Sequence, residues 1–264
     1  MYVNGTIQER PFQLAYEAYG KGPSTLITFH GYGQFPEVFR NFEKIYPDTR
    51  VLSVWLFHHG TSKTPLAPPV SENEWIEMFQ KLLSQEKVGQ FSLLAFSIGC
   101  RLAFSILHKI PERIEKATFL APDGILKSFT YSLACRTSVG KLLFKSLTGD
   151  SDILPRLIQA ISKTGALPRT LTRFALSQIT TSAQRKKLYR TWISLSRIFL
   201  SKKALESALA HPGVGIILAS RDNVIPESKI RARIPSNVTV RTLPCGHTNL
   251  IQTYEKEVKQ NVRR

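Results

Sequence analysis

The chain has 264 residues, 42% of them apolar and 21% charged. That is enough for one large α/β domain with an insertion, or for two small domains, and too well mixed for a disordered chain. The 36 Lys and Arg against 19 Asp and Glu leave a net charge of +17, a field that draws in anionic metabolites, lipid or nucleic acid and says nothing of fold. No apolar run approaches the roughly 20 residues that span a bilayer, and Met1-Tyr2-Val3-Asn4-Gly5-Thr6 lacks the features of an export signal. With three cysteines at no metal-like spacing, the expectation is reduced thiols and a cytoplasmic address.

From the amino end, residues 12–19 alternate apolar with mostly polar positions, the period of a half-buried strand near a sheet edge. Gly20-Lys21-Gly22-Pro23 makes a turn, and residues 25–29 form a short apolar run of the kind buried on both faces of a sheet. That run ends in His30-Gly31-Tyr32-Gly33, a glycine-rich loop able to turn backbone N–H groups toward a ligand. A second buried strand over 51–57 ends in His58-His59. Adjacent residues on extended backbone point opposite ways and no cysteine or carboxylate cluster joins them, so no metal site is expected.

Ser71-Glu72-Asn73-Glu74 carries the capping-box pattern ahead of a helical run from Trp75 to Leu83. The apolar stretch Phe91, Leu93, Leu94 then leads into Ala95-Phe96-Ser97-Ile98-Gly99, and a helical pattern follows at once. Strand, sharp turn and helix put Ser97 at an apex where its hydroxyl stands clear of the sheet beside the first free N–H groups of the helix. A serine there also fits a plain helix cap. Another strand over 115–121 ends at Pro122-Asp123-Gly124.

From 125 to 208 the strand–helix alternation stops and several amphipathic helices are implied, with breaks near Thr148-Gly149 and Gly165–Pro168. This segment carries fifteen Lys and Arg, from Lys127 to Lys203, against Asp150, Asp152 and Glu206. Its apolar residues, among them Phe129, Tyr131, Phe144, Trp192 and Phe199, suit a pocket wall or packing on the scaffold. Strand character returns over 213–219, followed by Ser220-Arg221-Asp222 and Pro226, and again over 238–243, followed by Gly246-His247. A helix with a basic tail, Arg263-Arg264, closes the chain.

Buried strands alternating with helices imply a mostly parallel sheet flanked on both faces, and in such sheets ligands bind outside the carboxyl ends of the strands. His30, Ser97, Asp222 and His247 all fall there. With His30-Gly31, the A-x-S-x-G elbow at 95–99, S-x-D-x-x-x-P at 220–226 and Gly246-His247 in this order, the chain resembles the α/β-hydrolases over nearly its whole length. The resemblance implies an α/β-hydrolase core of residues 1–124 and 209–264 with an all-helical cap of residues 125–208 inserted in it.

It also implies a serine hydrolase acting on an ester or thioester. Ser97 would be the nucleophile, His247 its base and Asp222 the acid that orients the base, with Asp123 as a rival acid. The N–H groups of Tyr32 and Ile98 would form the oxyanion hole, and His30, Gly31 and Arg101 would meet substrate. No cofactor or metal is called for. Ala95 and Cys100 depart from the usual glycines but keep their positions small, and a serine at the elbow separates the chain from dehalogenases and epoxide hydrolases, whose nucleophile is aspartate.

Two other readings stay open. Ser97-Ile98-Gly99-Cys100-Arg101 is similar to the S-x-G-G-R of the menaquinone-pathway synthase, a lyase that releases pyruvate from an anionic cyclohexene acid, and an arginine suits its carboxylates. The basic cap alternatively suits an anionic substrate or peripheral contact with an anionic membrane, with the serine idle. No helix-turn-helix, zinc or RNA-binding signature supports a specific nucleic-acid partner.

Overall fold

The computed structural model describes residues 1–64, 69–126, 129–165 and 169–262. Lys127, residues 166–168 of the expected helix break and the terminal Arg263-Arg264 lie outside the described residues, as do the side chains of Phe129 and Arg169. In chain order the elements are β1 (Tyr2–Ile7), β2 (Arg10–Tyr19), β3 (Ser24–Phe29), α1 (Phe42–Ile45), β4 (Thr49–Val54), α2 (Glu72–Gln85), β5 (Phe91–Phe96), α3 (Gly99–Lys109) and β6 (Ile114–Leu120). Five helices follow, α4 (Phe129–Arg136), α5 (Ser138–Leu147), α6 (Ile153–Lys163), α7 (Arg169–Ser177) and α8 (Ser182–Ser194). Then come α9 (Lys202–Leu209), β7 (Val214–Ala219), α10 (Glu227–Arg231), β8 (Thr239–Leu243) and α11 (Leu250–Val262).

The strands form one eight-stranded sheet in the order β1-β2-β4-β3-β5-β6-β7-β8. β1 and β2 pair antiparallel, as do β2 and β4, and every pairing from β4 to β8 is parallel. Successive side chains of a strand point to opposite faces, and the core divides accordingly. Ile27, Phe29, Leu93, Ala95, Ile216 and Leu218 join the cluster that includes residues of α2, α3 and α9. Leu26, Leu94, Phe96, Ile217 and Ala219 join the one under α1 and α11. This two-sided burial explains why the central strands read as short continuous apolar runs.

The capping box of α2 forms as its sequence requires: the Ser71 side chain accepts from the Glu74 N–H, and the Glu74 carboxylate accepts from the Ser71 N–H. Trp75, the next residue, is fully buried and its indole N–H donates to the Leu102 carbonyl, locking α2 to α3.

Between β6 and β7 in the chain, α4, α5 and α8 share a small core of Tyr131, Cys135, Phe144 and Ile193. Arg185 fastens this layer internally. It is buried, and its guanidinium donates to the carbonyls of Gly149, Ile179, Thr180 and Asp150 while pairing with Asp152. Toward the end of this stretch, Leu195, Ile198, Leu200 and Leu205 pack in the main core together with Leu209, and α9 lies against α3. Among the described residues, no helix is long and apolar enough to cross a membrane.

Candidate active site

Ser97 sits between the last residue of β5 and the first turn of α3 with φ at +52°, the left-handed region that non-glycine residues adopt rarely and at a cost of about 1–3 kcal/mol. The turn is over-determined by its surroundings. The Ser97 N–H donates to the Leu120 carbonyl at 2.9 Å, and its carbonyl accepts from the N–H groups of Cys100 and Asp123. Gly99 is required by close approach, since a Cβ there would lie 2.5 Å from the His30 carbonyl oxygen. Ala95, where a first glycine is usual, is fully buried and small enough for the gap.

The loops after β7 and β8 bring Asp222 and His247 to the same point. The Ser97 hydroxyl lies 3.1 Å from His247 Nε2, and His247 Nδ1 lies 2.6 Å from Asp222 Oδ2. The other oxygen of Asp222 accepts from the Val224 and Ile225 N–H groups, each at 2.8 Å. With its carboxylate so fixed, Asp222 sets the imidazole with Nδ1–H toward it and leaves Nε2 free to accept from the serine. Phe96 and Phe174 pack against the imidazole, at 4.8 and 6.0 Å between ring centres.

Asp123, the rival acid, takes a different partner. Arg101 Nη2 reaches its two oxygens at 3.1 and 2.9 Å. Arg101 is 6% exposed, and its guanidinium lies over the rings of Tyr131 and Phe199 at 4.3 and 5.3 Å. Burial opposes its charge, yet Asp123 and Tyr131 outweigh that and hold its pKa above the ordinary arginine value. Its Nε and Nη1 have no hydrogen-bond partner among the described residues. Arg101, expected to meet substrate, stands behind Asp123, and Asp123 is the group that faces the cavity.

His30, also expected to meet substrate, is turned into the packing of its own loop. It is fully buried, its Nδ1–H donates to the Gly31 carbonyl at 2.8 Å and its Nε2 accepts from the Leu56 N–H at 3.2 Å. His59 repeats the pattern, donating to the Phe57 carbonyl and accepting from the Gly33 N–H. Burial pulls His30 down to about 4 and His59 to about 3, so both stay neutral and tie the glycine loop to the end of β4. His58 points the other way, sharing a 2.7 Å hydrogen bond with Ser194 at the end of α8.

The loop so held presents Gly31, Tyr32 and Gly33 beside Ser97. Among the described residues, the N–H groups of Tyr32 and Ile98 have no protein acceptor. A Cβ at Gly31 would press on the Phe96 ring at 2.8 Å, so this position serves close packing of the loop on the elbow.

Ser97 opens into a cavity of about 540 Å³, within the usual range for small-molecule sites. The scaffold contributes Tyr32, Phe96, Ile98 and His247, and the helical layer contributes Phe144, Leu154, Ile158, Phe174 and Trp192. Among the described residues, the lining contains no Lys or Arg, and Asp123 is its single carboxylate. Nothing in the sequence marks Leu154, Ile158 and Phe174 as wall residues, because helical periodicity reveals an apolar face without saying whether it meets a core or a cavity.

No family model matches the chain. An esterase from Thermogutta terrifontis, solved with malate bound, superposes over 100% of this chain and 97% of its own with a TM-score of 0.71 at 17% identity. MGS-M2, an α/β hydrolase enzyme from a deep-sea metagenome library of the Medee basin, covers 99% and 98% with a TM-score of 0.69 at 16% identity. The chain has the α/β-hydrolase fold.

Among curated proteins, a Bacillus subtilis (strain 168) protein provisionally assigned as 2-succinyl-6-hydroxy-2,4-cyclohexadiene-1-carboxylate synthase is 24% identical over 117 residues, 43% of this chain and 42% of its own. The probable lysophospholipase BODYGUARD 1 of Arabidopsis thaliana is 36% identical over 74 residues, 28% of this chain and 16% of its own. The matched stretch is therefore less than half the length of either relative.

Proposed function

We propose that this hydrolase-fold protein is a serine hydrolase that cleaves a carboxylic ester or thioester with an apolar acyl group. The observation that carries the reading is the hydrogen-bonded series Ser97–His247–Asp222 at the floor of an apolar cavity. His247 Nε2 takes the proton of Ser97 as its oxygen attacks the acyl carbon, and Asp222 stabilises the imidazolium that results. The oxygen of the tetrahedral intermediate receives the N–H groups of Ile98 and Tyr32. Such donors are worth about 100- to 1000-fold in rate each. The imidazolium returns its proton to the leaving alcohol or thiol, and water then repeats the sequence on the acyl-serine, regenerating the hydroxyl.

The likeness of part of the chain to a protein assigned as a synthase keeps a lyase reading in view. The cavity speaks against it: its wall offers a carboxylate where an anionic substrate needs a cation, and Arg101 is already paired. Fluorophosphonate labelling, followed by a panel of p-nitrophenyl esters and acyl thioesters, tests both. Expected are labelling of Ser97, turnover of apolar esters and no activity in Ser97→Ala. A folded wild-type protein that neither labels nor turns over any member of the panel refutes the hydrolase, and pyruvate release from the synthase substrate establishes the lyase.

A further inference from the structure

The helical layer leaves aliphatic side chains in water. Val139 and Leu142 are each 70% exposed and Leu143 is 59% exposed on α5, with Ile153, Leu157 and Ile161 exposed on α6. In α6 these three recur once per turn, while Leu154 and Ile158 turn toward the cavity. The helix is thus apolar on two adjoining sides, of which the cavity uses one. The same holds for α5, where Phe144 lines the cavity and Leu142 and Leu143 do not.

The charges on these helices are all of one sign. Lys141, Lys145, Arg156 and Lys163 are without an ion-pair partner among the described residues, and neither helix carries an acid. The two acids between the helices are occupied by α8, Asp150 by Lys186 at 2.8 Å and Asp152 by Arg185 at 3.2 Å. An aliphatic face bordered by unpaired cations is the pattern of a helix lying in a membrane interface, where the leucines enter the acyl boundary and the cations meet anionic headgroups. A nucleic acid would use the cations but gain nothing from the aliphatic residues.

We propose that the outer side of α5 and α6 docks on an anionic lipid surface, and that α6 in that position stands between the bilayer and the acyl cavity it walls. Delivery of an acyl group to Ser97 from that surface rests on the hydrolase reading, whereas the docking does not.

The test is co-sedimentation of the full chain, carrying Ser97→Ala so that no lipid is consumed, with vesicles of mixed phosphatidylglycerol and phosphatidylcholine or of phosphatidylcholine alone. The expected result is binding to the anionic vesicles that weakens with salt. Lys141→Gln with Lys145→Gln should lower the affinity about 25-fold, at about fivefold per cation. Leu142→Ser and Leu157→Ser should each lower it about tenfold, with melting temperatures unchanged.

Absence of binding, or leucine variants that bind as the parent does, overturns the proposal. So does light scattering that shows a dimer dissociated by the leucine substitutions without any vesicle binding, which assigns the face to a second copy. Vesicle binding by a protein with no esterase activity refutes the hydrolase reading alone, and esterase activity without vesicle binding refutes the docking alone.

Discussion

Replacing Asp123 by alanine should destabilise the protein and, at the same time, change which substrates it accepts. Among the described residues, the carboxylate is the sole anionic partner of a guanidinium that is 6% exposed and already has two nitrogens without acceptors. Removing one member of a buried pair costs about 3–5 kcal/mol, because the survivor is left charged and dry. Asp123 itself is 27% exposed on the cavity side, so water can follow into its place and the lower end, about 3 kcal/mol, is expected here. At about 2–4 °C per kcal/mol this is a fall of about 6–12 °C in melting temperature.

The uncovered cation would then face the cavity, and a small dicarboxylate should restore part of the loss. Thermal unfolding of Asp123→Ala with and without succinate reads the first effect. The ratio of kcat/KM for ethyl hydrogen succinate to that for ethyl butyrate reads the second and should rise about tenfold, a gain of about 1.4 kcal/mol for the anionic acyl group. A melting temperature within about 2 °C of wild type, or succinate acting equally on both proteins, refutes the account of Arg101 given above.

Acid should loosen the glycine loop before it protonates ordinary carboxylates. Burial holds His30 and His58 near 4 and His59 near 3 in the folded chain, while in the unfolded chain they titrate near the ordinary 6.5, so the unfolded state takes up protons first as pH falls. Their contribution is complete above about pH 6.5 and is lost toward pH 4, about 3 kcal/mol for each histidine alone; a melting temperature flat from pH 7 to 4.5 would contradict it. Ile158→Trp places bulk in the cavity wall and should depress kcat/KM for long acyl esters more than about tenfold while sparing acetate and propionate esters, whereas an equal loss across the chain-length series would remove Ile158 from the acyl site.

Much of the sheet is readable because its central strands are covered on both faces, which leaves the signature of short continuous apolar runs. β1 is not, since Tyr2–Ile7 is half-exposed and its alternation is diluted by Asn4 and Gly5. Ser97, Asp222 and His247 each follow such a run, which puts them at one sheet edge. The expectation for Arg101 and His30 rests on the same kind of position alone. Sequence position fixes which sheet edge a residue occupies, but not whether its side chain turns toward the cavity or back into the packing. Nor does periodicity tell α9 from the helices before it, because it has the same amphipathic period and only tertiary contact with α3 distinguishes it.

α6 has no fully buried residue, although Leu154 and Ile158 help to wall the cavity. Folding therefore constrains its side chains weakly, while on the proposed function they shape the space an acyl group would fill. Random mutagenesis confined to Ile153–Lys163 should yield a library in which nearly every member folds and acyl preference varies widely. Such a helix is where this scaffold can change its diet without risking its core.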